Sequence, residues 1–199
     1  MSKGMSTAAL RIASACFCCC ILLNITAFYA RCENLRGQFL RLHVIAASDT
    51  AEDQRLKLKV RDAVLTAGGE LFDGSVTAAE AEEKIRPAIP VLQEAAEQVL
   101  RANGCEDTVI VTVQQEYFTT RQYGEITLPA GVYEAVKVVI GEGVGQNWWC
   151  VMFPPLCLPA AEAVASEDYF SQEDADLLRQ PVKYRAKLKI VEWIEQLLS

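Results

Sequence analysis

The chain has 199 residues, of which 51% are apolar and 23% charged, with a formal net charge of −7 and one histidine. That is enough length for one domain with its own core plus extensions, and too much charge for a polytopic membrane protein. The acidic balance argues against a nucleic-acid binder, and a single histidine removes most His-based metal and triad chemistry.

Lys3 and Arg11 precede Ile12 to Ala30, a run without a charge. A basic start followed by an apolar core marks export, and the run sits at the lower edge of what one bilayer crossing needs. Residues 1–36 therefore read as a signal peptide or a signal anchor, with residues 12–30 as the membrane contact. Ala30 is a candidate last residue before cleavage, although Phe28 stands where a small residue is preferred. Cleaved and anchored forms both stay open. Cys16, Cys18, Cys19 and Cys20 lie in this run as small apolar residues, and the Cys16–Cys19 spacing lacks the βαβ context of a redox pair.

Residues 37–158 read as a globular α+β domain. Gln38 to Ala47 alternates as a first strand, with Leu40, Leu42, Val44 and Ala46 on one face and Arg41, His43 and Ile45 on the other. Ser48, Asp49 and Thr50 can each cap the helix that follows, expected over 50–67 and ended by Gly68-Gly69. Arg55, Lys57, Lys59 and Arg61 spread over more than one face of that helix. They read as a solvated surface, with contact to anionic lipid or an acidic partner as the functional alternative. A second helical region, 77–103, carries Pro87 and Pro90 and should break near Arg86 and restart at Val91. Thr108 to Tyr117 alternates as a second strand, and residues 118–127 read as a short edge strand.

Tyr133 to Ile140 and Trp148 to Phe153 are rich in β-branched and aromatic residues, and Gly141, Gly143 and Gly145 stand between them. This pattern predicts two strands joined as a hairpin, stopped by Pro154-Pro155. Trp148 and Trp149 should then place one ring on each face of the sheet. The fold class is thus α+β: a small mixed or antiparallel sheet of about four strands with helices 50–67 and 77–103 packed on it. Residues 159–182 are acidic and poor in large apolar groups, which reads as a flexible linker. Residues 183–199 regain helical period as a C-terminal amphipathic helix, basic at its start and acidic at its end, so that it needs a surface to pack on.

The signatures GxxxxGK[ST], HExxH and GxSxG are absent. Gly141-Glu142-Gly143 precedes a strand, so no helix N-terminus follows to hold a phosphate. His43 has no nucleophile near it in sequence and reads as a histidine satisfied by a local hydrogen bond. Asp49, Glu52 and Asp53 read as capping residues and not as cation ligands. No catalytic, cofactor or metal site is expected. Cys150 and Cys157 flank Pro154-Pro155; export favours a disulfide between them, and a reducing cytosol would leave two buried thiols. The candidate partner surface combines Trp148 and Trp149 with the turn at His43 and Asp49, because tryptophans favour interface hot spots.

Leu42-His43-Val44-Ile45-Ala46-Ala47-Ser48-Asp49, the run Asp53 to Val64, Leu128 to Tyr133, Asn147-Trp148-Trp149-Cys150 and Phe153-Pro154-Pro155-Leu156-Cys157 resemble the stage II sporulation protein R family over about Leu40 to Leu158. Ala47 departs from the asparagine expected in that segment. The resemblance implies a signalling protein made in the forespore and exported across its membrane into the septal intermembrane space. There it would activate a membrane-embedded aspartyl protease that processes the precursor of sigma factor E, with the bond-breaking chemistry belonging to that protease. From the residues alone, a secreted cell-wall or carbohydrate-binding module using the same tryptophans remains the alternative.

Overall fold

A computed structural model describes residues 7–72, 77–154, 172–179 and 181–198. The chain opens with helix α1 (Thr7–Arg36), then β1 (Leu40–Ile45), α2 (Ala51–Leu71), α3 (Ala78–Ile85), α4 (Ile89–Ala102), β2 (Val109–Phe118), β3 (Arg121–Tyr123), β4 (Ile126–Leu128), β5 (Gly131–Ile140) and β6 (Asn147–Phe153). Two helices, α5 (Gln172–Arg179) and α6 (Pro181–Leu198), complete it. The class is α+β, as the alternation and helical periods predict.

The central sheet has the order β2-β5-β1-β6, and β3 and β4 form a separate hairpin. β1 runs parallel to β5 and antiparallel to β6, and β2 pairs antiparallel with β5. The expected hairpin between the two aromatic strands is therefore not formed, because β1 lies between them. The glycine loop 141–146 has to step across the end of β1, and it does so on positive φ angles at Gly141 and Gly143. Turn residues alone could not reveal this: a glycine-rich loop permits a crossing over one strand as readily as a tight reversal.

Each face of the sheet carries its own core. Leu40, Leu42 and Val44 of β1 point with Val136, Val138 and Met152 toward Leu56, Val60 and Val64 of α2 and Leu92, Ala96 and Leu100 of α4. On the opposite face, Phe118, Tyr133, Ala135 and Val151 meet β4, the last turns of α1 (Phe28, Cys32, Leu35), α5 and α6. The alternation of β1 is what divides it between the two layers.

Thr50 caps α2 by accepting from the Asp53 N–H, with Glu52 and Asp53 in the first turn where the dipole favours acids. Gly68-Gly69 does not end this helix. α2 continues to Leu71, because Gly68 lies against the sheet where a Cβ would stand 2.1 Å from the Met152 methyl, and burial of Leu65 and Phe72 holds the last turn. Thr77 and Glu80 form a capping box at α3, and the proline-containing stretch after Arg86 separates α3 from α4 near the expected position.

Residues 172–179, expected within a flexible linker, form α5, and Leu177 and Leu178 are buried in the second core. Acidic composition singled out Asp174 and Asp176, which are themselves partly buried, and missed the two adjacent leucines. The remainder of that linker up to residue 171 lies outside the described residues. α6 begins at Pro181, a favourable first helical position. It packs on α1 and the sheet: Tyr184 stacks on Phe28 at 5.8 Å, and Glu195 pairs with the buried Arg36 at 2.9 Å while accepting from the Tyr29 hydroxyl at 2.7 Å. Tertiary burial offsets its reversed charge pattern.

Candidate functional site

The turn 46–50, the loop 141–146 and the start of β6 converge at the end of the sheet where β1 finishes. The Gly145 N–H donates to the Ala46 carbonyl at 3.0 Å, and the Gln146 N–H donates to the Asp49 carboxylate at 2.8 Å. A Cβ at Gly145 would stand 2.3 Å from the Ser48 carbonyl oxygen, so this approach of loop to turn requires glycine. Asp49 thus ties the loop to the turn and acts on the aromatic strand through Gln146.

Trp148 and Trp149 turn to opposite faces of β6, as a strand demands. Trp148 is 37% exposed, with the Arg61 guanidinium of α2 4.6 Å from its ring centroid. Trp149 is half-buried on the other face, stacked on His43 with centroids 3.6 Å apart and edge-on to Phe118 at 4.8 Å. His43 is 3% exposed, so it supports Trp149 from beneath and offers no surface of its own. Its Nδ1 lies 2.8 Å from Glu116 and its Nε2 2.7 Å from the Asn147 side-chain oxygen. Both neighbours are oxygens. A doubly protonated ring satisfies them, as does a neutral ring with the Asn147 amide turned over. Glu116 also accepts from Lys137 at 3.0 Å, so one polar chain spans all four strands of the sheet.

Arg41 is the residue whose importance sequence reading passed over. It is fully buried, donating to the Cys150 carbonyl at 2.9 Å and to the Tyr123 hydroxyl at 2.5 Å. Its guanidinium lies 4.1 Å from the Phe118 ring centroid and 4.9 Å from that of Tyr133. No carboxylate pairs with it among the described residues. Burial lowers its pKa, and the neighbouring phenols oppose that shift. The faces of the rings supply the counter-charge that an acid would otherwise provide. The one available signal was an arginine alternating with leucines in a strand, which is too common to single out.

Between α2, the β3–β4 hairpin and the start of β6 lies a groove of about 540 Å³. Trp148, Trp149 and Tyr123 supply its apolar surface, Lys57 and Arg121 its charge, and among the described residues no aspartate or glutamate lines it. Lys57 is buried and bonded to two neutral oxygens, those of the Gln54 side chain at 2.6 Å and the Gln146 backbone at 2.9 Å. Burial lowers its pKa, while Asp49 acts in the opposite direction. Arg121 is exposed and lies 5.7 Å from the Trp149 ring centroid.

The structure thus brings Trp148, Trp149 and His43 together and joins Asp49 to them through the loop. Cys150 is disulfide-bonded, whereas Cys16, Cys18, Cys19, Cys20, Cys32 and Cys105 are free thiols. Cys157, the expected partner, lies outside the described residues. Among the described residues, no group of three His, Cys, Asp or Glu side chains is placed to hold a metal ion. α1 is long and apolar enough to cross a membrane by length and composition, which fits a signal peptide or membrane anchor.

No solved structure matches this chain. The stage II sporulation protein R of Bacillus subtilis (strain 168) is 32% identical over 184 residues, covering 81% of this chain and 82% of that protein. Residues 36–163, from the last residue of α1 through the whole sheet, match the family stage II sporulation protein R. With the family pattern spanning the tryptophan strand, the glycine loop and the buried arginine alike, this chain belongs to the stage II sporulation protein R family.

Proposed function

We propose that this chain is an exported sporulation signal that activates a membrane-embedded aspartyl protease by docking on it in the septal intermembrane space. The protease then removes the pro-sequence of sigma factor E. The chain itself breaks no bond. One observation carries this reading: the titratable groups beneath and beside Trp149 and Trp148 are engaged in structural bonds, His43 between Glu116 and Asn147 and Lys57 to Gln54 and Gln146, which leaves the exposed Arg121 as the charged group facing outward. Among the described residues no nucleophile stands against a base there, and two adjacent tryptophans beside an exposed arginine support recognition as the role of this surface. A flat sugar-binding platform fits less well, because one face of Trp149 is covered by His43 and Trp148 has Arg61 over its ring.

Co-expression with the protease and the sigma factor E precursor in a non-sporulating host tests the reading. Cleavage of the precursor should require this chain and should be lost in Trp148→Ala or Trp149→Ala secreted at the normal level. Normal cleavage with both variants would remove the docking surface. Turnover of a substrate by the purified chain alone would remove the reading itself.

A further inference from the structure

We propose that the groove beside Trp148 and Trp149 receives an extended acidic segment of a partner protein, a carboxylate on the exposed Arg121, the buried Lys57 adding positive charge beneath, and an apolar side chain against the tryptophans. The inference rests on the docking reading above and gives it a chemistry. Charge is the first argument. The chain carries a net −7, yet among the described residues the groove is lined by Lys57 and Arg121 with no acid. Arg61 stands at the Trp148 ring but is paired with Asp62 at 2.7 Å, so the charge of the groove rests on Lys57 and Arg121. Arg86 and Arg101, also exposed, pair with Glu82 and Glu94. Arg121 makes no ion pair among the described residues and leaves its donors to solvent. A guanidinium fork beside an aromatic face matches a carboxylate in the plane of the fork and an apolar group on the ring.

Position is the second argument. Arg36 at the end of α1 donates to the Ala130 carbonyl at 2.8 Å, where β5 begins. β1 and β5 run parallel from that end, and the groove lies where β1 finishes, opposite Asn147. Trp149 and Trp148 of the groove stand opposite His43 and Val44, three and four residues along β1 from Leu40, which puts them roughly 10–13 Å from the point where the candidate membrane helix joins the sheet. That placement favours a protein segment approaching from the far side over the lipid headgroups around α1. The Tyr123 hydroxyl donates to the Trp149 carbonyl at 3.3 Å, which occupies the strand edge there. Recognition through side chains thus takes precedence over strand addition.

The full chain in neutral detergent micelles is titrated, following tryptophan emission, with an eight-residue Asp/Glu peptide around a central Leu-Phe and with its Asn/Gln counterpart. The acidic peptide should bind about ten-fold or more tightly than the amide peptide, and Arg121→Gln should remove that preference. Equal binding of the two peptides, or a preference unchanged in Arg121→Gln, overturns the inference. So does an Arg121-dependent emission change with phosphatidylglycerol vesicles but not with the acidic peptide, which would assign the groove to a lipid surface. In the co-expression assay, Arg121→Glu secreted at the normal level should lower precursor cleavage several-fold. If Trp148→Ala or Trp149→Ala stops cleavage and Arg121→Glu does not, the acidic-segment inference fails and the docking reading stands. If none of the three lowers cleavage, the docking reading fails with it.

Discussion

His43 lies flat beneath Trp149, their ring centroids 3.6 Å apart and their planes within 17° of each other. The only histidine of the chain therefore serves as a base plate for one of its three tryptophans. It is held level by Glu116 on one ring nitrogen and Asn147 on the other.

Replacement of His43 by alanine should remove the stacked pair and leave Glu116 with Lys137 alone. Aromatic contact and a charge-assisted hydrogen bond together predict a loss of about 2–3 kcal/mol. Urea denaturation of the purified chain measures it, and the Trp149 contribution to the emission should shift red as the ring loses its support. An unchanged midpoint and spectrum would show that Phe118 alone holds the ring.

Arg41 joins β1 to β6 and to the β3–β4 hairpin. Arg41→Ala should remove the donor to the buried Cys150 carbonyl, leave the Tyr123 hydroxyl with the Trp149 carbonyl alone and open a cavity among the rings, at a cost of about 3–5 kcal/mol. Arg41→Met, which keeps most of the volume and removes the charge, should cost less. Thermal unfolding of the two variants gives the ordering, and a Met variant worse than the Ala variant would contradict it.

Burial raises the pKa of the Tyr133 phenol well above the usual tyrosine range and raises that of Tyr123 as well, with Arg41 opposing both shifts. The folded state thus keeps its protons where the unfolded chain releases them, so the unfolded state gains as pH rises past about 10. Stability should be flat across neutral pH and fall with increasing alkalinity above that point. Chemical denaturation at pH 7 and pH 10.5 measures the slope. Tyr133→Phe should flatten it, while losing about 1 kcal/mol at neutral pH with the hydrogen bond to the Pro129 carbonyl.

Gly145→Ala tests whether the loop–turn contact positions the tryptophan strand. The added methyl meets backbone and not a flexible side chain, so the loop must retreat from Ser48, at a cost of about 1–3 kcal/mol. The bonds from Gly145 to Ala46 and from Gln146 to Asp49 should loosen together, and hydrogen exchange of those two amides should accelerate. Protection equal to that of the parent chain would argue that the loop is held elsewhere.

Arg36, buried between Glu195 and the Ala130 carbonyl, couples α1 to α6 and to the sheet. Glu195→Ala leaves that guanidinium without its acid and should cost about 3–5 kcal/mol. Limited proteolysis should then cut α6 before the central sheet. Phe28 and Tyr29 pack on the same helix, so a chain starting at Arg31 should show the same sensitivity in weaker form.

Alternation and helical period were enough to read the class, the division of β1 between two layers, the broken second helix and the opposed tryptophans. These are local properties: side-chain direction follows from strand or helix geometry alone. The strand order was not local. Whether Gly141 to Gln146 reverses a hairpin or crosses β1 depends on which strand competes for the same edge, and only the packed sheet decided for β1. The linker reading failed at α5 for a related reason, since Leu177 and Leu178 become informative only once the second face of the sheet exists to bury them. Most of the site was legible as residue types, yet not as roles. His43 changed from a candidate contact to a support and Asp49 to a clasp. Arg41, read in the sequence only as one residue on a face of β1, became the centre of an aromatic box. Sequence determined which side chains could be brought together; tertiary structure decided which were covered, and burial is what separates a contact from a prop.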